Sequence, residues 1–256
     1  MARSVAFGFG LIVLGGCTGL SPQYKVWLAE GKRAYERRQY PRAIQRLSLV
    51  VNNAQDLPGL ARALYLRGMS HAKSGQRSLA FADLRRCVGG EPDPDVVWKA
   101  HAVLGTLYFE EQQFDAAARA YEQAAALMPG IPPAGRIHFQ LGRCYERSGR
   151  WGEAQIVFRR IAERYPFSGE AAAARRRLAL RPTHFAVQCG AFQKASNAEN
   201  FRSELQRQGL AAYVREEPRR LETLHIVLVG RYATYAASRQ GLADVRQFVP
   251  DAVPWP

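Results

Sequence analysis

Several chemistries have no foothold in this 256-residue chain. The apolar run from Val5 to Leu14 holds ten residues, and a helix needs about 20 to cross a bilayer. The five histidines (His71, His101, His138, His184, His225) stand singly, with no H-E-x-x-H and no ligand spacing, so no metal site is expected. There is no G-x-S-x-G, and no paired carboxylates in an apolar setting as a glycosidase requires. Catalysis and a bound cofactor are therefore not expected. Cysteine is scarce: Cys87, Cys144 and Cys189 fit neither a zinc pattern nor C-x-x-C, and Cys87 and Cys144, on apolar helical faces, read as small apolar residues, with a disulfide left open. Acid is also in short supply, 22 Asp/Glu against 36 Lys/Arg, a net +14. The imbalance is local: residues 182–256 carry nine basic and seven acidic residues, whereas 1–181 carry 27 and 15. Arginine is scattered along helical segments, which reads as a solvated basic surface, and no nucleic-acid partner is expected.

What the chain has in abundance is repetition. Gly31, Gly68, Gly105 and Gly142 are 37 residues apart, as are Ala43, Ala80, Ala117 and Ala154. Leu47, Leu84, Tyr121 and Phe158 follow in register, then Val50, Cys87, Ala124 and Ile161. Tyr40, Phe114 and Trp151 share a further column that Arg77 interrupts, and Pro92, Pro129 and Pro166 close the last three units. A glycine inside a helix costs about 1 kcal/mol relative to alanine, so four in register imply a close helix approach. The alanine twelve positions on is the expected neighbour. Each unit reads as an antiparallel helix pair that hides its apolar face by stacking.

These columns resemble tetratricopeptide repeats, most closely at "LGTLYFEEQQFDAAARAYEQAAALMP" (104–129) and "LGRCYERSGRWGEAQIVFRRIAERYP" (141–166). Ala34 and His71 stand where Tyr108 and Tyr145 occur later. "SGEAAAARRRLAL" (168–180) reads as a capping helix. The resemblance implies an all-α solenoid of four helix pairs, residues 24–180, whose groove holds protein partners.

After Pro182 the period changes to two. In "FAVQCGAF", Phe185, Val187 and Cys189 alternate with Ala186 and Gln188, a strand pattern. Ser196 and Glu199 suggest a capping box, and Ala198, Phe201 and Leu205 stripe one helical face. "LAAYVREE", "LETLHIVLVGRY", "TYAASRQGLADVRQFV" and "DAVPWP" complete a βαββαβ order: a small α+β domain, residues 182–256, with an antiparallel sheet and both helices on one face. "FAVQCGAF", "LQRQGLAAYV" and "LHIVLVGRYATYAAS" resemble a SPOR (sporulation-related) domain; a generic ferredoxin-like sandwich is the alternative. With Phe185, Val187, Cys189, Val227 and Val229 under the helices, Gln188, Ile226 and Leu228 are expected on an open face. The resemblance implies that this face binds peptidoglycan glycan strands lacking stem peptides. It puts Gln188 first and Trp255 second among the contacts, followed by Tyr213, Arg231 and Tyr232. The family commonly has polar or basic residues where Ile226 and Leu228 stand.

The N-terminal "MARSVAFGFGLIVLGGC" pairs a short apolar run with a cysteine. Its "LGGC" resembles the bacterial lipoprotein signal, implying a signal peptide over residues 1–16, a lipidated Cys17 and a linker over 17–23. Thr18 after the cysteine points, by the same resemblance, to the outer membrane. Acyl chains contribute about 0.8 kcal/mol per buried methylene, enough together for a firm anchor. The expected function is a lipid-anchored envelope scaffold that finds septal peptidoglycan with its sheet and recruits proteins with its repeats. The alternative is a repeat lipoprotein of outer-membrane protein or pilus assembly with a purely structural C-terminal domain.

Overall fold

The structure, a computed structural model, describes residues 22–53, 59–90, 93–129, 134–218 and 222–256. The expected signal peptide and Cys17 lie outside the described residues. Four helix pairs follow one another: α1 (Pro22–Glu36) with α2 (Tyr40–Asn53), α3 (Leu60–Lys73) with α4 (Arg77–Gly89), α5 (Pro94–Glu110) with α6 (Phe114–Leu127), and α7 (Ala134–Arg147) with α8 (Trp151–Arg164). A ninth helix, α9 (Gly169–Leu180), starts where Ser168 accepts a hydrogen bond from the Ala171 N–H. The first helix thus begins two residues before the expected boundary at 24. The chain forms two compact units that divide between Asp93 and Pro94.

The glycine column has the role its periodicity implied. A Cβ on Gly31, Gly68, Gly105 or Gly142 would lie 2.6, 2.9, 2.8 or 2.6 Å from Leu47, Leu84, Tyr121 or Phe158 respectively. The partner is therefore the large residue sixteen positions on, rather than the alanine at twelve, which is itself buried beside it.

The turn inside each pair is equally regular. Arg38, Gly75, Gln112 and Gly149 all have left-handed backbone (φ 60°, 76°, 59° and 73°) and are again 37 apart. The next residue's N–H reaches back to the first helix, from Gln39 to the Ala34 carbonyl and likewise 76 to 71, 113 to 108 and 150 to 145, at 2.8–2.9 Å. This is the Schellman closure, which favours glycine at the left-handed position. Arginine and glutamine hold it twice against their preference.

In the first unit two other columns carry charge. Glu30 pairs with Arg46 at 3.2 Å, and 37 residues later the signs are exchanged, with the Arg67 guanidinium donating to both oxygens of buried Asp83 at 2.7 and 2.6 Å. His71 packs alongside, 3.7 Å from Asp83 and bonded to Gln76, a core position rather than a ligand. In the second unit the same columns are apolar, Leu104 with Ala120 and Leu141 with Val157. The three described cysteines are free. Burial pushes the thiols of Cys87 and Cys144 up to about 12 and that of Cys189 to about 11, so they behave as apolar fillers.

The small domain runs β1 (Phe185–Phe192), α10 (Ala195–Arg207), β2 (Ala212–Pro218), β3 (Thr223–Tyr232), α11 (Tyr235–Val245) and β4 (Val253–Trp255), with antiparallel strand order β2-β3-β1-β4. Val187, Ala212, Val227 and Val229 pack under Ala198 and Leu205 of α10 and Leu242 and Val245 of α11. Two expectations need correction. The Ser196–Glu199 capping box does not form: α10 begins two residues earlier, Lys194 is the cap, and Glu199 pairs with Arg202 at 3.1 Å. Phe185 does not join the helix-side core. A bulge between it and Val187 turns its ring onto Trp151 of α8 (4.8 Å) and Tyr235 of α11 (5.9 Å). Phe114 (5.4 Å) and the Arg147 guanidinium (4.1 Å) also meet the Tyr235 ring. This aromatic joint ties the last two helix pairs to the small domain within the second compact unit, beside a cleft of about 480 Å³ lined by the α5–α6 turn, Arg147, Ser148 and the start of α11.

Two substitutions test the repeat geometry by urea denaturation. Gln112→Gly relieves the left-handed turn and stabilises the protein by about 0.5–1 kcal/mol. Gly142→Ala overpacks the pair and destabilises it by about 1–3 kcal/mol, a loss partly recovered by adding Phe158→Leu.

Candidate functional site

The two helices leave one face of the sheet without a second layer. Strand pairing places Tyr213, Leu228, Gln188 and Val253 in one row across all four strands on this face. Arg215 is paired with Ile226 and Glu217 with Leu224 in the rows beyond. The side assignment of Gln188, Ile226 and Leu228 follows the alternation expected of strands.

Depth does not follow it. Ile226 and Leu228 are 2% and 0% exposed, and Trp255 is 4% exposed, so these three predicted contacts are not open to a ligand. The reason is geometric. The Trp255 indole, carried by the short terminal strand β4, lies against Ala186, Ile226 and Leu228, and its Nε1–H donates to Glu217 Oε1 at 3.0 Å. The Arg215 guanidinium stacks on the indole at 4.8 Å and donates to the Leu180 carbonyl at the end of α9. His184 sits beside the same indole (6.2 Å) and shares a 2.7 Å hydrogen bond with the Tyr213 hydroxyl. The apolar centre is thus covered by the protein's own aromatic and cationic side chains.

Tyr232 is also corrected. It lies under α11, where any side chain on Gly241 would overlap its hydroxyl, so it serves the core. Unbroken alternation would set Tyr232 beside Ile226 and Leu228 on the open face; the left-handed Gly230 (φ 76°) and the bulged pairing of β1 with β3 break that alternation. What remains accessible is a polar rim: half-buried Gln188 and Tyr213, exposed Val253, and exposed Arg231, whose guanidinium rests on the Tyr213 ring at 4.8 Å. His184, Arg215 and Glu217 were not anticipated. Arg215 and Glu217 are legible in retrospect, because they alternate with Tyr213 on one strand and must share its face.

The electrostatics of this rim are set by burial first and by the two arginines second. Burial, followed by the charges of Arg231 and Arg215, holds His184 below the ordinary histidine value. Burial raises Tyr213, and the same two arginines oppose the rise. At neutral pH the face therefore carries two guanidinium charges and a neutral imidazole, with Glu217 engaged by the indole. Among the described residues no cluster of three His, Cys, Asp or Glu is arranged to hold a metal ion. No described helix is long and apolar enough to cross a membrane.

Residues 181–254 match the SPOR domain and residues 108–178 the tetratricopeptide repeat, each by its family's sequence profile. The chain carries tetratricopeptide repeats and a SPOR domain. SPOR domains point to peptidoglycan binding and tetratricopeptide repeats to protein–protein interaction; both are binding modules rather than enzymes. No curated protein matches the chain. The helical-repeat region is similar to solved structures of MamA. One is 24% identical, covers 57% of this chain and 81% of its own, and has a TM-score of 0.50. A second is 19% identical (63% and 82% covered, TM-score 0.52). MamA from Desulfovibrio magneticus RS-1, residues 41 to the end, is 16% identical (63% and 84% covered, TM-score 0.52). At these identities the likeness concerns the fold alone.

In the repeats of the second unit, the first helices carry cations on aromatic rings: Lys99 lies 5.3 Å from the Trp98 ring centre and Arg143 lies 4.9 Å from that of Phe109. Such amphipathic stacked groups suit a protein-binding surface.

The cover over the SPOR sheet can be tested through its buried hydrogen bond. Glu217→Ala leaves the indole N–H without its acceptor and lowers stability by about 1–3 kcal/mol, whereas Glu217→Gln retains most of it, read by chemical denaturation.

Proposed function

We propose that the protein is a lipid-anchored envelope scaffold that holds peptidoglycan glycan strands with its SPOR domain and recruits protein partners with its tetratricopeptide repeats. Residues 1–16 act as a lipoprotein signal, Cys17 carries the acyl chains, and residues 17–23 tether the repeats of 24–180 and the SPOR domain of 182–256. The protein faces the periplasm from the outer membrane, concentrated at the division site, and works in cell division or wall remodelling without catalysis. The observation that carries this reading is the SPOR match over 181–254, together with a helix-free sheet face whose accessible rim presents an amide, a phenol and a guanidinium. Amides and guanidiniums bond sugar hydroxyls, and aromatic rings accept their CH faces.

One observation favours the second reading, a SPOR domain that is only structural and repeats that act in outer-membrane protein or pilus assembly. Trp255, Ile226 and Leu228 are buried, so the apolar platform expected for sugar is already occupied.

Sacculi separate the two. The chain from Thr18 onward is incubated with purified sacculi before and after amidase removal of stem peptides. Retention that rises with amidase treatment, and falls about fivefold with Gln188→Ala, supports wall binding. Absence of retention in both states favours the second reading, and release of soluble sugar overturns the non-catalytic role.

A further inference from the structure

Arg231 is an exposed cation on the helix-free face, Arg215 is half-buried, and among the described residues neither has a carboxylate within ion-pair reach. The Arg231 guanidinium lies over the Tyr213 ring, 4.8 Å from its centre, in an exposed residue. Glu217, a carboxylate on the same surface, accepts from Trp255. Arg231 and Arg215 act together on His184 and Tyr213, so their fields converge on the same patch. The domain as a whole is nearly neutral, nine basic against seven acidic residues, yet this rim concentrates positive charge. Gln188 stands in the same row as Tyr213, two strand spacings or about 9.5 Å away. One end of the row thus suits an anion and the other a hydroxyl or acetamide.

Peptidoglycan supplies such a pairing once its stem peptides are gone. Each muramic acid carries a lactyl carboxyl that is an uncharged amide while the peptide is attached. Hydrolysis of that amide releases the peptide amine and leaves a carboxylate on the sugar. We propose that Arg231 recognises this lactyl carboxylate, so that removal of the stem peptide creates the charge the face selects. The proposal rests on the wall-binding reading and makes denuded glycan preferred through an attraction, beyond the mere absence of a bulky peptide. Stem peptides also bear carboxylates, so the shared chemistry has two sources that the experiment must part.

The full chain is measured against three materials: intact sacculi, amidase-treated glycan, and amidase-treated glycan whose carboxylates have been converted to methylamides with carbodiimide and methylamine. The expected result is binding to the free-acid glycan about tenfold tighter than to the methylamide, a preference that weakens with salt. Arg231→Gln then binds both glycans alike at the weaker level, and Arg231→Lys keeps part of the preference. Arg231 is exposed, so unchanged thermal unfolding of both variants excludes a folding defect. Equal binding of free-acid and methylamide glycan by the wild-type chain, or a preference that survives in Arg231→Gln, overturns the proposal while leaving wall binding intact. Binding to intact sacculi as tight as to free-acid glycan assigns the contact to stem-peptide carboxylates and overturns it too. Absence of binding to all three removes the wall-binding reading itself and the proposal with it.

Discussion

How closely two helices can cross is set by the atoms between them. In each repeat those atoms are a glycine on the first helix and a leucine or aromatic ring sixteen residues later on the second. The large side chain occupies the volume a Cβ would need, so neither member can change alone. The left-handed turn at 38, 75, 112 and 149 then fixes where the second helix starts, and with it which of its residues reaches the glycine. The remaining columns follow from those two constraints. The alanines and the positions of Val50, Cys87, Ala124 and Ile161 are buried because the pair has already closed at that distance.

That regularity explains why the repeats were legible. A single glycine in a helix is ambiguous, whereas four at a constant spacing with matched partners leave little choice. The SPOR sheet was legible in a different and more limited way. Alternation along a strand reports which side a residue faces, and it placed Gln188, Ile226 and Leu228 correctly. It carries no information about what reaches across that side. The cover comes from Trp255, Arg215 and His184, which are distant in sequence and meet only because β4 returns beside β1. Tyr232 and Phe185 escaped for a local reason, since a left-handed glycine precedes Tyr232 and a bulge separates Phe185 from Val187, putting each out of phase with the rest of its strand. Ser196 looked like a cap because its partner Glu199 is correctly spaced, but the helix starts at Ala195, which places the hydroxyl inside the first turn.

Charge also divides the molecule in a way that composition alone does not convey. In the first unit, basic residues are drawn into ion pairs such as Arg67 with Asp83 and Arg46 with Glu30. On the SPOR face, two arginines lie instead on aromatic rings and have no carboxylate partner among the described residues. Stacking holds a guanidinium in place while leaving its charge available to an anion. A domain with few excess charges can therefore still present a concentrated field where it matters.

The joint of Trp151, Phe185, Tyr235 and Phe114 has a mechanical consequence. A flexible tether would let the sheet swivel freely, so that pulling on it only straightened the tether. With aromatic rings packed across the junction, a tug on the sheet acts as torque on the last two helix pairs. Tension borne by one binding surface is then felt by the other as strain rather than as displacement.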